Sequence, residues 1–283
     1  MRRFFQSLVP LSWRKKTPRI HVLRLEGTIA AGKSMRGGNL NMEVLEPVLV
    51  KAFRKGIAAV ALQINCPGGS PVQSALVSER IRALSTEFNV PVYAFCEDVA
   101  ASGGYWLACA ADEIYADENS IVGSIGVISM GFGFPRALGK LGIERRVHTA
   151  GEAKSTNDPF KPEKPEDVKK LKVILADMHE SFKALVRERR KGKLKGEDKE
   201  LFTGAYWTGN RAVELGLIDG IGHMRAIMRA KFGEKAEFRK IPLQQGWGLR
   251  RLGLGQSREV AADFADAALE ALESRSQWQR FGL

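Results

Sequence analysis

The chain has 283 residues, enough for one domain with a large core and few for two. Apolar residues make up 44% and charged residues 27%, which excludes a mainly disordered or fibrous chain, and no run approaches the ~20 apolar residues of a spanning helix. The net charge of +12 comes from 44 Lys and Arg against 32 Asp and Glu. Half of that surplus sits in residues 1–20, which hold Arg2, Arg3, Arg14, Lys15, Lys16 and Arg19 and no acid.

Residues 1–19 read as a basic amphipathic arm, with Phe4, Phe5, Leu8, Val9, Leu11 and Trp13 between the charges. The pattern suits an anionic lipid surface, and it also suits a solvated terminus. No apolar run of ~7 to 15 residues follows the charges, so it is not a secretory signal. The expected location is therefore cytoplasmic or peripheral to a membrane. The remaining charge is spread through mixed-sign segments without a nucleic-acid motif, and no nucleic-acid partner is expected.

From residue 20, β-rich runs alternate with helical patterns, the signature of an α/β fold. Strands are predicted over Ile20–Gly27, Ala58–Asn65, Val90–Cys96, Glu113–Ala116, Ile125–Ser129 and Glu144–His148. The second and third end in small-residue loops, Asn65-Cys66-Pro67-Gly68-Gly69-Ser70 and Asp98-Val99-Ala100-Ala101-Ser102-Gly103-Gly104, each opening a helix. After Pro165 a long helix is predicted, with Glu166 and Asp167 in its first turn and Gly192 at its stop. Its apolar positions Val168, Leu171, Leu175, Met178, Phe182 and Leu185 must be covered, by the parent domain or by another subunit. A Gly-rich linker at 246–255 precedes a last helix over Arg258–Ser274, a C-terminal appendage.

Cys66, Cys96 and Cys109 are odd in number and lie in apolar or Gly-rich settings, which argues for reduced core thiols. His21, His148, His179 and His223 stand far apart, and no Cys or His pair has zinc-ligand spacing, so no metal and no cofactor is expected. No Gly-rich lysine motif for nucleotide phosphate is present, which leaves the chemistry independent of ATP.

Ligands of open parallel sheets bind beyond the carboxyl ends of the strands, where both Gly-rich loops would lie. Gly68 and Gly69 let backbone amides approach a ligand, and two such donors can hold an oxyanion. A Pro-Gly-Gly after a strand is also an ordinary turn. Ser102 stands between Ala101 and Gly103 with nothing bulky to shield its hydroxyl; Ser at a helix start is also a common N-cap. Together the loops offer a nucleophile and amide donors in one cleft, as acyl transfer requires. The histidines fit a Ser-His-Asp triad poorly, which points to a neutral lysine as base. Lys154, in Gly151-Glu152-Ala153-Lys154-Ser155-Thr156, has small neighbours, but the residue pattern does not choose among the lysines.

The runs Ile64-Asn65-Cys66-Pro67-Gly68-Gly69, Ala101-Ser102-Gly103-Gly104-Tyr105-Trp106-Leu107-Ala108, Val122-Gly123-Ser124-Ile125-Gly126-Val127 and Gly216-Leu217-Ile218-Asp219-Gly220-Ile221-Gly222 resemble the signal peptide peptidase A family of serine peptidases. The resemblance covers roughly residues 20–230. It implies a caseinolytic protease/crotonase-like superhelix of ββα units over residues 20–235, followed by the linker and helix of 236–283. It further implies Ser102 as nucleophile, Lys154 as general base, and an oxyanion hole from Gly69 and Gly103. Gly68 supports that hole, and Ser155 supports the lysine through a hydrogen bond. Family members form homo-oligomeric rings or domes on membranes and cleave apolar or unstructured peptides such as remnant signal peptides. In single-repeat members the serine and lysine come from adjacent protomers. The alternatives are a crotonase-like acyl-CoA hydratase or isomerase working through Glu97 or Asp98, and a catalytically silent peptide-binding scaffold.

Overall fold

The computed structural model describes residues 17–32, 39–151, 153–243 and 275–282. In chain order the elements are β1 (Arg19–Glu26), α1 (Met42–Ala52), β2 (Ala59–Cys66), α2 (Pro71–Phe88), β3 (Val92–Ala101), α3 (Gly103–Ala108), β4 (Glu113–Ala116) and β5 (Ile121–Gly123). There follow α4 (Pro135–Lys140), α5 (Pro165–Arg189), α6 (Asp198–Leu201), β6 (Tyr206–Thr208), α7 (Gly209–Glu214), β7 (Gly220–Ile221), α8 (Met224–Phe232) and β8 (Glu237–Lys240). The arm up to residue 16, the linker at 246–255 and the helix expected over 258–274 lie outside the described residues.

Helices cover both faces of a single α/β sheet with the strand order β6-β5-β3-β2-β1-β8. Every pairing is parallel except that of β6 with β5. β2 is buried along nearly its whole length, which is why its sequence, AVALQINC, is almost continuously apolar rather than alternating. One face packs on α1, α2, α3 and the end of α5, with Leu23, Leu62, Ile64, Tyr105 and Phe182 among the buried residues. The other face carries a smaller cluster around Val22, Phe95 and Met228 under α8. β8 follows residue 235 and adds a parallel strand beside β1.

The first four predicted strands are present, but the last two are not. Ile125–Ser129 and Glu144–His148 are irregular, because among the described residues no neighbour completes a ladder with either. Conversely, β3 runs five residues past its predicted end, to Ala101. Its first half pairs with β4 and its second half, Val99–Ala101, with β5. The change of partner coincides with a register break against β2 between Ile64 and Cys66. There the Asn65 side chain substitutes for backbone pairing, donating to Asp98 Oδ2 at 2.8 Å and accepting from the Val99 amide at 3.2 Å.

Helix α5 has the predicted Pro165 start, and Gly192 follows with φ 75°. Its C-terminal end docks on the parent domain, where Phe182 stacks on Trp106 with ring centroids 4.7 Å apart. The stretch before that end is not so covered, and Val173, Ile174 and Met178 are exposed.

The Gly216–Gly222 run is a structural hub. Arg190, just past α5 and 2% exposed at its side chain, donates to Asp219 Oδ2 at 2.6 Å and twice to the Gly216 carbonyl. Lys193 donates to Asp219 Oδ1 at 2.6 Å, and the Ile114 amide to Oδ2 at 2.8 Å. The Tyr105 hydroxyl donates to the Leu217 carbonyl at 2.7 Å, which ties α3 to the same run. Burial alone would push the Asp219 carboxyl up, but the bonds from Arg190, Lys193 and the Ile114 amide hold its pKa below the ordinary carboxylate value. Asp219→Ala leaves the buried guanidinium unpaired and should cost about 3–5 kcal/mol in urea denaturation at pH 7. Because the folded pKa is depressed, this stabilisation is intact above the unfolded value and is lost as pH falls through the folded one. The gap between wild type and variant should therefore narrow as the pH falls below the ordinary carboxylate range; a gap that does not change with acidification would show that the ion pair is not its source.

Candidate active site

β3 delivers Ser102 to the start of α3 at φ 52° and ψ −120°, a backbone conformation that L-residues seldom adopt. Neighbouring bonds hold it there. The Ser102 amide donates to the Gly123 carbonyl of β5 at 2.8 Å, and the Ser102 carbonyl accepts from the Trp106 amide at 3.0 Å. The side chain makes no cap bond to α3, so the ordinary reason for a serine at a helix start does not apply. Among the described residues its hydroxyl has no hydrogen-bond partner, and the residue is half-buried.

The Gly68-Gly69 loop lies directly against it. A Cβ on Gly68 would stand 2.7 Å from Ser102 Cβ and 2.9 Å from the Gly103 amide nitrogen, so only glycine allows the approach. Gly68 and Gly69 also have φ of 113° and 140°. Ile29 braces the loop from beneath, its amide donating to the Gly68 carbonyl at 2.8 Å and its carbonyl accepting from the Ser70 amide at 2.7 Å. These two bonds flank Gly69 and leave its own amide turned away from Ile29. The Gly103 amide belongs to the first turn of α3, where N–H groups have no partner within the helix. A Cβ on Gly103 would stand 2.5 Å from Ser74 Oγ, 2.9 Å from Ile29 Cδ1 and 3.3 Å from the Gly69 nitrogen, so the start of α3 packs closely on the Gly68-Gly69 loop.

Lys154 is elsewhere. It occupies an exposed turn in the irregular segment between β5 and α5, and among the described residues its ammonium has no hydrogen bond or ion pair. The Ser155 hydroxyl is turned to Asp158 Oδ2, at 3.4 Å. The segment exposes Ile128, Met130, Phe132, Leu141 and Ile143, with Phe132 82% accessible.

No histidine bonds Ser102 among the described residues. The buried His21 ring donates from Nδ1 to the Ala52 carbonyl at 2.8 Å, His179 bonds the Ile125 carbonyl at 3.0 Å, and His223 lies 3.6 Å from Asp117. His148 is exposed and follows no strand. The three cysteines are buried and free, each thiol pushed up to about 12 by burial, which suits inert core groups. The described residues contain no cluster fit to hold a metal ion.

A cavity of about 460 Å³ lies off to one side, bordered by Glu97, Asp98, Asp117, His223 and Arg225 but not by Ser102 or the two glycine amides. Its carboxylates are occupied: Glu97 accepts from Arg24 at 2.8 Å and from Gln63 at 3.0 Å, and Asp98 from Asn65.

Residues 85–236 match the model of peptidase family S49. A Brucella abortus protein named Na(+)/H(+) antiporter NhaA is 46% identical over 98% of this chain, which covers 39% of that protein. A putative signal peptide peptidase SppA of Enterococcus faecium is 32% identical over 60% of this chain and 48% of its own length. A putative protease of Synechocystis sp. is 31% identical over 75% of this chain and 71% of its own length. The chain thus spans about two fifths of the Brucella relative, whose name describes a protein more than twice as long. No helix among the described residues is long and apolar enough to cross a membrane.

Proposed function

The chain belongs to peptidase family S49, and from that premise we propose that it is a serine endopeptidase in which Ser102 attacks the scissile carbonyl and Lys154 is the general base. The observation that carries this reading is Ser102 itself, held at a strained strand-to-helix junction with no cap bond from its side chain and with the Gly68-Gly69 loop packed against it. Neutral Lys154 takes the Ser102 proton as Oγ bonds the carbonyl carbon. The amides of Gly69 and Gly103 hold the resulting oxyanion, and the lysine returns the proton to the leaving amine. Water, deprotonated by the same lysine, then releases the acyl group. No step calls on a metal or a nucleotide.

Lys154 and Ser102 are read as meeting between protomers of a homo-oligomeric ring. The exposed apolar side chains from Ile128 to Ile143 support this, since a patch of that kind on a soluble surface marks a contact site. The sheet is read as the caseinolytic protease/crotonase superfold. Substrates are apolar, short or unstructured peptides, remnant signal peptides among them, and the protein works in the cytoplasm or at the periphery of the inner membrane. The acyl-CoA hydratase alternative needs Glu97 or Asp98 beside the glycine amides, whereas both border the separate cavity and are already hydrogen-bonded.

A fluorophosphonate probe should form one covalent adduct, mapped by peptide mass spectrometry to Ser102. Failure to label the folded protein, together with turnover of an acyl-CoA thioester, would hand the site to the hydratase reading. Peptide binding without labelling or turnover would leave a scaffold.

A further inference from the structure

Between residues 144 and 164 every described residue is exposed or half-buried, yet the Asp158 side chain retains only 5% of its accessibility. Its carboxylate gathers four groups. Arg145 Nη1 donates to Oδ1 at 2.8 Å, and the Phe160 amide donates to the same oxygen at 3.0 Å. The Ser155 hydroxyl donates to Oδ2 at 3.4 Å, and the Lys161 ammonium stands 4.0 Å from it. Arg145 also lies over the Phe160 ring, its guanidinium carbon 4.5 Å from the centroid. None of these partners belongs to the sheet or to the helices packed on it. The carboxylate therefore does not serve the core. What it fastens is the turn that begins with the Lys154 amide bonded to the Gly151 carbonyl at 3.2 Å and passes through Ser155 and Asn157, the latter at φ 53°.

Resting on the reading of Lys154 as general base, we propose that Asp158 is the positioning residue for that base. Lys154 has four rotatable side-chain bonds and no partner of its own among the described residues, so the direction in which it is presented depends on the backbone that carries it. Asp158 closes that backbone into one shape by tying Ser155, adjacent to the base, to Arg145 on the irregular run before it. An acid at this position is required for geometry, and a misplacement of about 1 Å can cost on the order of 10²-fold in rate.

The test uses the full chain and a fluorogenic leucyl-leucyl-alanyl amide, with kcat, KM and oligomer size measured on each variant. Asp158→Ala should lower kcat about 10²-fold with KM within about twofold and oligomer size unchanged, because the substrate does not touch this carboxylate. Asp158→Glu, which can still reach Arg145, should recover most of that loss. Wild-type kcat in Asp158→Ala, a loss confined to KM, a glutamate variant no better than alanine, or a loss that tracks dissociation of the oligomer would each overturn the proposal. Lys154→Ala runs in parallel: if it keeps wild-type kcat, the base assignment itself fails, whereas an inactive Lys154→Ala beside a fully active Asp158→Ala rejects only the positioning role. Should Asp158→Ala not fold, Arg145→Gln decides, with about a tenfold loss of kcat expected at constant KM and an unchanged kcat against it.

Discussion

Ser102→Ala is expected to abolish peptide hydrolysis while leaving the fold in place. Removing the nucleophile of an acyl-transfer site costs on the order of 10⁶-fold in kcat, and the oxyanion donors alone leave a residual rate of about 10³–10⁴-fold over water. Stability should hardly change. The hydroxyl makes no cap bond, so even the ~1 kcal/mol usually lost with a serine cap is not at stake. The positive φ is imposed by bonds through the Ser102 amide and carbonyl, which alanine keeps. Thermal unfolding within a few degrees of wild type, with no measurable turnover, is the expected pair of results. Turnover near the wild-type rate in Ser102→Ala would remove the serine from the mechanism.

The parts of this site legible in the sequence are those whose cause is local. β2 and the first half of β3 were readable because strands buried on both faces must be nearly continuously apolar, and Ser102 because only small neighbours leave a hydroxyl open at a strand end. Gly68 and Gly69 carried a weaker signal, since a turn uses the same residues; what distinguishes them is the contact with Ser102, which arises from pairing β2 beside β3. The continuation of β3 through Asp98 was hidden because its acid and small residues imitate a loop, and only the Asn65 side chain makes sense of it. β6, β7 and β8 have three, two and four residues and little buried apolar sequence, so tertiary neighbours alone define them. The strands expected at Ile125–Ser129 and Glu144–His148 failed for the converse reason, as β-prone residues with no ladder partner stay irregular.

Lys154 is set apart from the other lysines by the family motif around it and not by its local composition. Asp158 gave no signal at all in the sequence, because its enclosure is produced by the folding of the loop around it. The Gly216–Gly222 run was recognisable as a pattern, yet its physical purpose, a buried Arg190–Asp219 pair and an anchor for Tyr105, depends on residues about 25 to 110 positions away.

The remaining large effect concerns the proposed pairing of Ser102 with Lys154. Lys154→Arg should be as inactive as Ser102→Ala, because a guanidinium does not deprotonate at working pH and cannot take the serine proton. Each of Ser102→Ala and Lys154→Ala nevertheless keeps one intact half of the site. If the halves come from neighbouring protomers of a closed ring, co-refolding the two variants should rebuild whole sites from two inactive proteins. A competent interface needs a serine donor of one type and a lysine donor of the other. With equal amounts and random mixing, each condition is met half the time, so about a quarter of interfaces should be active. Activity plotted against mixing ratio should then rise from zero to a maximum at equal amounts and return to zero. A dyad built within one chain predicts no recovery at any ratio, because every chain lacks one member. Mixed oligomers can be verified by differential mass tagging of the two variants. A flat line at zero with such oligomers present would reject the shared site and require the exposed Lys154 turn to reach Ser102 within its own protomer.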